Sequence, residues 1–253
     1  MKIADSSALV TGGGSGLGEA TARMLAARGA IVHVLDVNED AAARVAADIG
    51  GIAIAGDVAS EADAERAIAR ASQAGDGLRI LVNCAGIGPA ARLIGRDGPM
   101  PLADFERVIR VNLIGTFNMM RLAAKRMADL PERDDKGRGV IVNTASVAST
   151  DGQIGQVAYS ASKGGIVSMA LPAAREFARV GIRVNTIAPG IFATPLLQSL
   201  PDEAQQSLAA AIPFPSRLGD PAEFADAVRF CIENRYLNAE VIRLDGAIRL
   251  QPK

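Results

Sequence analysis

Seven short apolar runs, separated by segments with helical periodicity, constrain this chain more than any other feature. They fall at residues 7–10, 30–35, 52–55, 80–82, 140–143, 182–187 and 240–244. All are rich in Val, Ile, Leu or Ala, and those at 52–55 and 80–82 are unbroken, the pattern of strands buried on both faces. Helical patterns occupy about 20–28, 39–49, 61–74, 102–127, 157–179 and 195–211, with a last one ending near Glu233. Parallel neighbours need crossovers of this length, and such crossovers are right-handed. The prediction is a Rossmann-type doubly wound α/β fold of about seven parallel strands with helices on both faces. No repeat or low-complexity tract divides residues 1–253, so one domain is expected. Residues 191–212 follow the sixth strand and are read as a helical lid over a ligand cleft.

The turn after the first strand is Thr11-Gly12-Gly13-Gly14-Ser15-Gly16-Leu17-Gly18. Glycines there admit positive φ and close approach of backbone to a ligand, and the helix that follows offers free N–H groups to a pyrophosphate. The second strand ends at Asp36, eighteen residues beyond Gly18. An acid at that point can accept hydrogen bonds from the adenosine ribose of NAD and repels the 2′-phosphate of NADP. No Lys or Arg lies in the glycine turn or just after Asp36, so NAD is the expected cofactor. Asn38 is the better cap for the helix over 39–49.

Residues 146–163 carry the candidate chemistry. Ser146 stands just past the fifth strand, at the edge from which open α/β sheets present ligands. Tyr159 and Lys163 are four apart and share a helix face. A phenol titrates near 10, and a neighbouring ammonium lowers that value, so the three groups form a proton-transfer device. Asn112 falls inside an apolar helical segment, where its amide needs a partner; it is either a satisfied core residue or part of the site. The single His, His33, lies within a predicted strand and is read as core, which argues against His-based catalysis and a His-rich metal site. Cys84 and Cys231 fit no disulfide framework or metal spacing, and a reducing cytoplasm suits them. With a net charge of −1 and no long apolar span, neither nucleic acid nor membrane is an expected partner. Residues 1–5 lead directly into the first strand, which is read as leaving no room for a targeting segment.

Taken in order, Thr11-Gly12 with Gly16 and Gly18, Asp57, Asn83-x-Ala85-Gly86, Asn112, Ser146, Tyr159-x-x-x-Lys163 and Pro189-Gly190 resemble the short-chain dehydrogenase/reductase family over essentially the whole chain. The resemblance implies Tyr159 as acid/base, Lys163 as the group that lowers its pKa and holds the nicotinamide ribose, and Ser146 as hydrogen-bond partner of the reacting oxygen. Asn112 would position a relaying water. Ser15 and Leu17 would join the pyrophosphate turn, Asp57 and Val58 the adenine site, and Cys84 the groove wall. Asn83, Ala85, Gly86, Pro189 and Gly190 would complete the cofactor site, with Phe192 and Thr194 at the carboxamide end. Gln153 and Gln156 would line the substrate cleft beside Ser146 and Tyr159.

The runs over 157–172, 181–197, 213–223 and 240–249 are similar to one subgroup, the short-chain 3-hydroxyacyl-CoA dehydrogenases, whose members also oxidise hydroxysteroids. That implies a small-molecule substrate, an acyl-CoA or a hydroxysteroid-like alcohol, and a homotetramer. The apolar end of the chain (Val241, Ile242, Leu244, Ile248, Leu250) exceeds what a monomer's last strand needs and fits such assembly. Residues 87–101 and 130–138 stand outside this resemblance, and Arg92 and Arg96 in the first are candidates for CoA phosphates. A 3-oxoacyl carrier-protein reductase and a non-catalytic NAD-binding scaffold are the alternatives. Against them stand a glycine turn without a basic residue and an intact Ser/Tyr/Lys set.

Overall fold

Successive strand residues point to opposite faces of a sheet, and here both faces are covered by helices. The computed structural model describes residues 1–96, 98–133, 136–198 and 201–252. Its strands are β1 (Ser7–Thr11), β2 (Ile31–Asp36), β3 (Ile52–Ala55), β4 (Leu78–Asn83), β5 (Gly139–Thr144), β6 (Ile182–Pro189) and β7 (Val241–Leu244). They form one sheet in the order β3-β2-β1-β4-β5-β6-β7, every pair parallel. The order reverses between β1 and β4, which opens a crevice at the carboxyl ends of the central strands.

The helices are α1 (Gly16–Ala27), α2 (Glu39–Ile49), α3 (Glu61–Ser72), α4 (Leu102–Ile109), α5 (Gly115–Ala128), α6 (Val157–Phe177), α7 (Pro195–Gln198), α8 (Asp202–Ala210) and α9 (Pro221–Glu233). Strand side chains divide between two cores with period two. Ala8, Val10, Val140 and Val142 pack on one face with Leu25 of α1, Val45 of α2 and Phe224 and Val228 of α9. Leu9, Leu81 and Ile141 pack on the other with Ile68 of α3, Met119 and Met127 of α5 and Ala174 of α6. His33 is wholly buried in β2, as its place in the strand pattern predicts.

Local chemistry fixes the helix ends. Asn38 Oδ1 accepts from Ala41 N at 3.0 Å, leaving the Asp36 carboxylate free of the capping role. Asp220 and Glu223 form a capping box with Pro221 in the first turn of α9. Buried Arg79 donates to the carbonyls of Pro131 and Arg138 and so fixes both ends of the polar loop over 131–138. Asp134 and Asp135 of that loop lie outside the described residues.

Three predicted segments differ from the structure. The helix over 102–127 runs without interruption but contains a π turn, Arg110–Ile114, at which the buried Asn112 amide bonds groups outside the helix. The segment over 195–211 is two short helices, α7 and α8, with Pro201 at the N-cap of the second. Pro has no N–H to continue a helix, and Ser199 and Leu200 lie outside the described residues. The end of the chain is not purely an assembly surface: Ile248 is buried and Leu250 lines the crevice, while β7 itself is half-buried throughout. Among the described residues no helix is long and apolar enough to cross a membrane.

Candidate active site

The crevice at the carboxyl ends of β1, β2, β4, β5 and β6 is a cleft of about 770 Å³. Its floor is the turn after β1, where Gly12 has φ 62° and Gly16 φ 52°. A Cβ on Gly18 would stand 2.1 Å from Gly12 O, and one on Gly12 would stand 2.8 Å from Ala85 Cα. Glycine alone lets α1 start this close to the turn and the turn lie against the end of β4. Gly16, Leu17 and Gly18 open α1 and, with Ser15 at its N-cap, line the cleft. Thr11 Oγ1 accepts from the backbone N–H groups of Cys84 and Ala85 at 3.2 and 3.1 Å, tying β1 to the end of β4.

At one end of the cleft, Asp36 Oδ2 accepts from Gly14 N and Oδ1 from Asn38 N, both at 3.0 Å. A Cβ on Gly14 would meet that carboxylate at 2.9 Å and Ala41 Cβ at 2.8 Å. Asp57 and Val58 line the next stretch, and Asn118 Nδ2 donates to Val58 O at 2.9 Å. Such a glycine cradle leading from a helix N-terminus to a fixed carboxylate fits a dinucleotide, with the pyrophosphate on the α1 amides and the adenosine ribose at Asp36. Cys84, Ala85 and Gly86 form the wall beyond β4, and Pro189 and Gly190 the end of β6. The Cys84 thiol accepts from Thr144 Oγ1 at 3.5 Å, and burial pushes it up to about 11. Phe192 and Thr194 also reach the cleft; Phe192 stands edge-on to Phe224, ring centroids 6.3 Å apart, so it also anchors α9.

Ser146, Tyr159 and Lys163 come together on the opposite wall. Ser146 caps the short 3₁₀ turn Val147–Ser149, its Oγ accepting from Ala148 N at 3.1 Å, which fixes the hydroxyl at the end of β5. Tyr159 and Lys163 lie one turn apart on α6, with the ammonium 5.7 Å from the phenol ring centroid. Lys163 Nζ is buried and donates to Thr144 O at 2.8 Å. Burial raises the Tyr159 phenol above its ordinary value, and a hydrogen bond with the Ser146 hydroxyl opposes that rise. This corrects the expectation that Lys163 draws the phenol toward neutrality. In the protein by itself Lys163 moves as well, pushed down to about 8 by burial.

Two residues predicted for the site do not line the cleft. Asn83 lies inside the sheet and donates to Asn143 Oδ1 at 2.9 Å. Asn112 brackets the backbone of Ile87, accepting from its N–H and donating to its carbonyl, each at 2.8 Å. Its amide also reaches Ser162 Oγ at 3.0 Å, and Ser162 donates to Tyr159 O at 2.7 Å. Asn112 still approaches the site from behind: a Cβ on Gly86 would lie 3.2 Å from its Oδ1 and 3.5 Å from Lys163 Nζ. Gln153 and Gln156 line the cleft, yet both have structural bonds. Gln156 Oε1 accepts from Gln153 N, and Gln153 Nε2 donates to Gln251 O, each at 2.9 Å.

The sequence reading missed Ser162, Thr144 and the three leucines Leu197, Leu208 and Leu250 that line the outer cleft. Ser162 was within reach, three residues after Tyr159 on the same helix; the leucines carried no local signal. Arg92 and Arg96 are exposed and neither lines the cleft, where Lys163 is the one cation among the described residues.

A hydroxyl, a phenol and a buried ammonium facing a dinucleotide cradle define a class of protein, the nicotinamide-dinucleotide-dependent oxidoreductases. Within that class the chain belongs to the short chain dehydrogenase family, whose model matches residues 6–205. It is 52% identical over 249 residues to 3-hydroxyacyl-CoA dehydrogenase type-2 of Rattus norvegicus, covering 97% of this chain and 95% of the relative. The protein of the same name from Homo sapiens is 51% identical over the same shares. A crystal structure of 3-hydroxyacyl-CoA dehydrogenase type-2 from Mycobacterium avium superposes with a TM-score of 0.95 at 45% identity, covering 98% of each chain.

Proposed function

We propose that this oxidoreductase uses NAD and oxidises the secondary alcohol of a 3-hydroxyacyl-CoA to the 3-oxoacyl-CoA. The observation that carries the reading is the meeting of Ser146, Tyr159 and Lys163 in the cleft whose far end is Asp36. NAD⁺, when bound, supplies the hydride acceptor. The Tyr159 oxygen takes the alcohol proton, and the Ser146 hydroxyl orients the reacting oxygen against it. Lys163, buried beside Tyr159, holds the nicotinamide ribose. Asn112, through Ile87 and Ser162, keeps α6 and the β4 loop in register, and a water beside it would relay protons to Lys163. Asp36 is the basis for preferring NAD, since its carboxylate would face the 2′-phosphate of NADP. The acyl-CoA assignment rests on relatives of about half identity that carry that name.

A second reading has its own support. Lys163 is the one cation lining the cleft among the described residues, and the outer wall is leucine-rich, which suits an uncharged hydroxysteroid or secondary alcohol. The 191–212 segment acts as lid in either case, through Pro195, Leu197 and Leu208. Exposed Leu102, Ile114 and Phe117 between residues 102 and 117 and Val157 and Leu171 on α6 support assembly into the homotetramer that the family resemblance implies. Steady-state rates with NAD⁺ and NADP⁺ over 3-hydroxyacyl-CoA, hydroxysteroid and simple alcohol substrates test the assignment. Tyr159→Phe should lower turnover by about 10² or more while still binding NADH. Preference for NADP⁺, or near-normal turnover in that variant, would overturn it.

A further inference from the structure

The segment after β7 is fastened to the loop that joins Ser146 to Tyr159. Gly246 and Ala247 have φ of 59° and 67°, two left-handed residues in succession that turn the chain back from the sheet edge. Arg243 of β7 then binds both sides of the junction. It pairs with Asp245 and with Asp151, donates to Thr150 Oγ1 at 3.0 Å, and donates to Ile248 O at 2.9 Å. Ile248 is 2% exposed and acts as an anchor. Further on, Gln251 O accepts from Gln153 Nε2 at 2.9 Å and Pro252 O from Ile154 N at 3.1 Å. Leu250 sits between these fixings, and its side chain lines the cleft together with Leu197 and Leu208 of the lid helices.

The two kinds of wall differ in how they are held. Leu197 and Leu208 stand on short helices either side of Pro201, whereas Leu250 is fixed by an ion-pair cluster and two hydrogen bonds to the loop carrying Gln153. An apolar side chain fixed against a site of this kind acts as a ruler, because a substrate methylene either has room beside it or overlaps it. We propose that Leu250 is the residue that sets how large an alkyl or acyl chain fits beside Ser146 and Tyr159, and that Gln153 positions it. The proposal deepens the functional reading above and rests on its placing of the reacting alcohol at Ser146 and Tyr159.

The test compares kcat/KM over straight-chain 3-hydroxyacyl-CoA substrates of increasing length for the wild type, Leu250→Ala, Leu250→Phe and Gln153→Met. A pocket change of a few methylenes alters discrimination by about tenfold or more. Leu250→Ala should raise the long-to-short ratio of kcat/KM by about tenfold, and Leu250→Phe should lower it. Gln153→Met keeps the side-chain length but loses the donor to Gln251 O, and should shift the ratio as Leu250→Ala does. NADH affinity, read by fluorescence titration, should stay unchanged in all three. A ratio unchanged in both Leu250 variants overturns the proposal, and so does a uniform loss across all chain lengths. The same series run on 2-alkanols separates this result from the substrate reading. A wild type active on alkanols and inert on acyl-CoA refutes the thioester assignment, while the shift with alkanol length still decides the role of Leu250.

Discussion

Replacing Lys163 by methionine keeps the length of the side chain and removes a charge from a site that is 4% exposed. Burial lowers the lysine from 10.5 to about 8, so the folded protein holds the ammonium less readily than the unfolded chain does. At 1.36 kcal/mol per pKa unit, that difference is about 3 kcal/mol against the folded state at pH 7. The methionine variant loses the bond from Nζ to Thr144 O, a loss of about 1.5–3 kcal/mol for a charged donor. The net expectation is an inactive protein as stable as wild type or more so, by up to about 1.5 kcal/mol at pH 7. The sign follows from proton binding: between about 8 and 10.5 the unfolded chain holds the proton and the native state does not, so wild-type stability rises through that window. Above it only the lost hydrogen bond remains, and Lys163→Met should be the less stable protein. Urea unfolding without cofactor, at one fixed protein concentration and at several pH values from 7 to 10.5, reads the difference directly. A variant already destabilised at pH 7, or a difference that does not change with pH, would refute the claim that Lys163 is held as a buried, strained charge.

Other consequences are as direct. Gly18→Ala places a Cβ 2.1 Å from Gly12 O, a backbone atom, so α1 must shift away from the turn. Stability should fall by about 1–3 kcal/mol and NADH affinity by about tenfold, measured by thermal unfolding and fluorescence titration; unchanged affinity would mean the turn does not hold the dinucleotide. His33 is wholly buried, its Nε2 unpartnered among the described residues, and burial lowers its pKa below the ordinary 6.5. Its contribution is therefore present above pH 6.5 and lost as pH falls below it, by up to about 1.4 kcal/mol per pH unit, and His33→Leu should flatten the stability of the protein between pH 7 and 5.

Strand runs, the glycine turn, Asp36 at the end of β2 and the i, i+4 pair on α6 were all legible before any coordinates, because each rests on local geometry. A strand buried on both faces needs an apolar run, a tight turn at a helix start needs glycine, and two groups one helical turn apart meet on one face. The subtler errors arose where partners come from far along the chain. Nothing near Asn112 tells that Ile87 and Ser162 will take its amide where the helix widens into a π turn. Asn83 reads as cofactor-lining until β4 and β5 are paired and Asn143 stands opposite it. The environment of Lys163 is likewise tertiary. Its titration is set by burial under the ends of β4 and β5, so proximity to Tyr159 in sequence gave the pair but not the direction in which burial moves each. Leu250 is the furthest case. In sequence it continues an apolar end suited to assembly; in the structure Arg243, Asp151 and Gln153, some hundred residues apart, fold it back into the cleft. The chain's own periodicities determined the sheet, the turn and the reacting groups, because those depend on near neighbours. Which side chains close the cleft, and which charge bears the cost of burial, depended on contacts that exist only once the sheet has brought distant segments together.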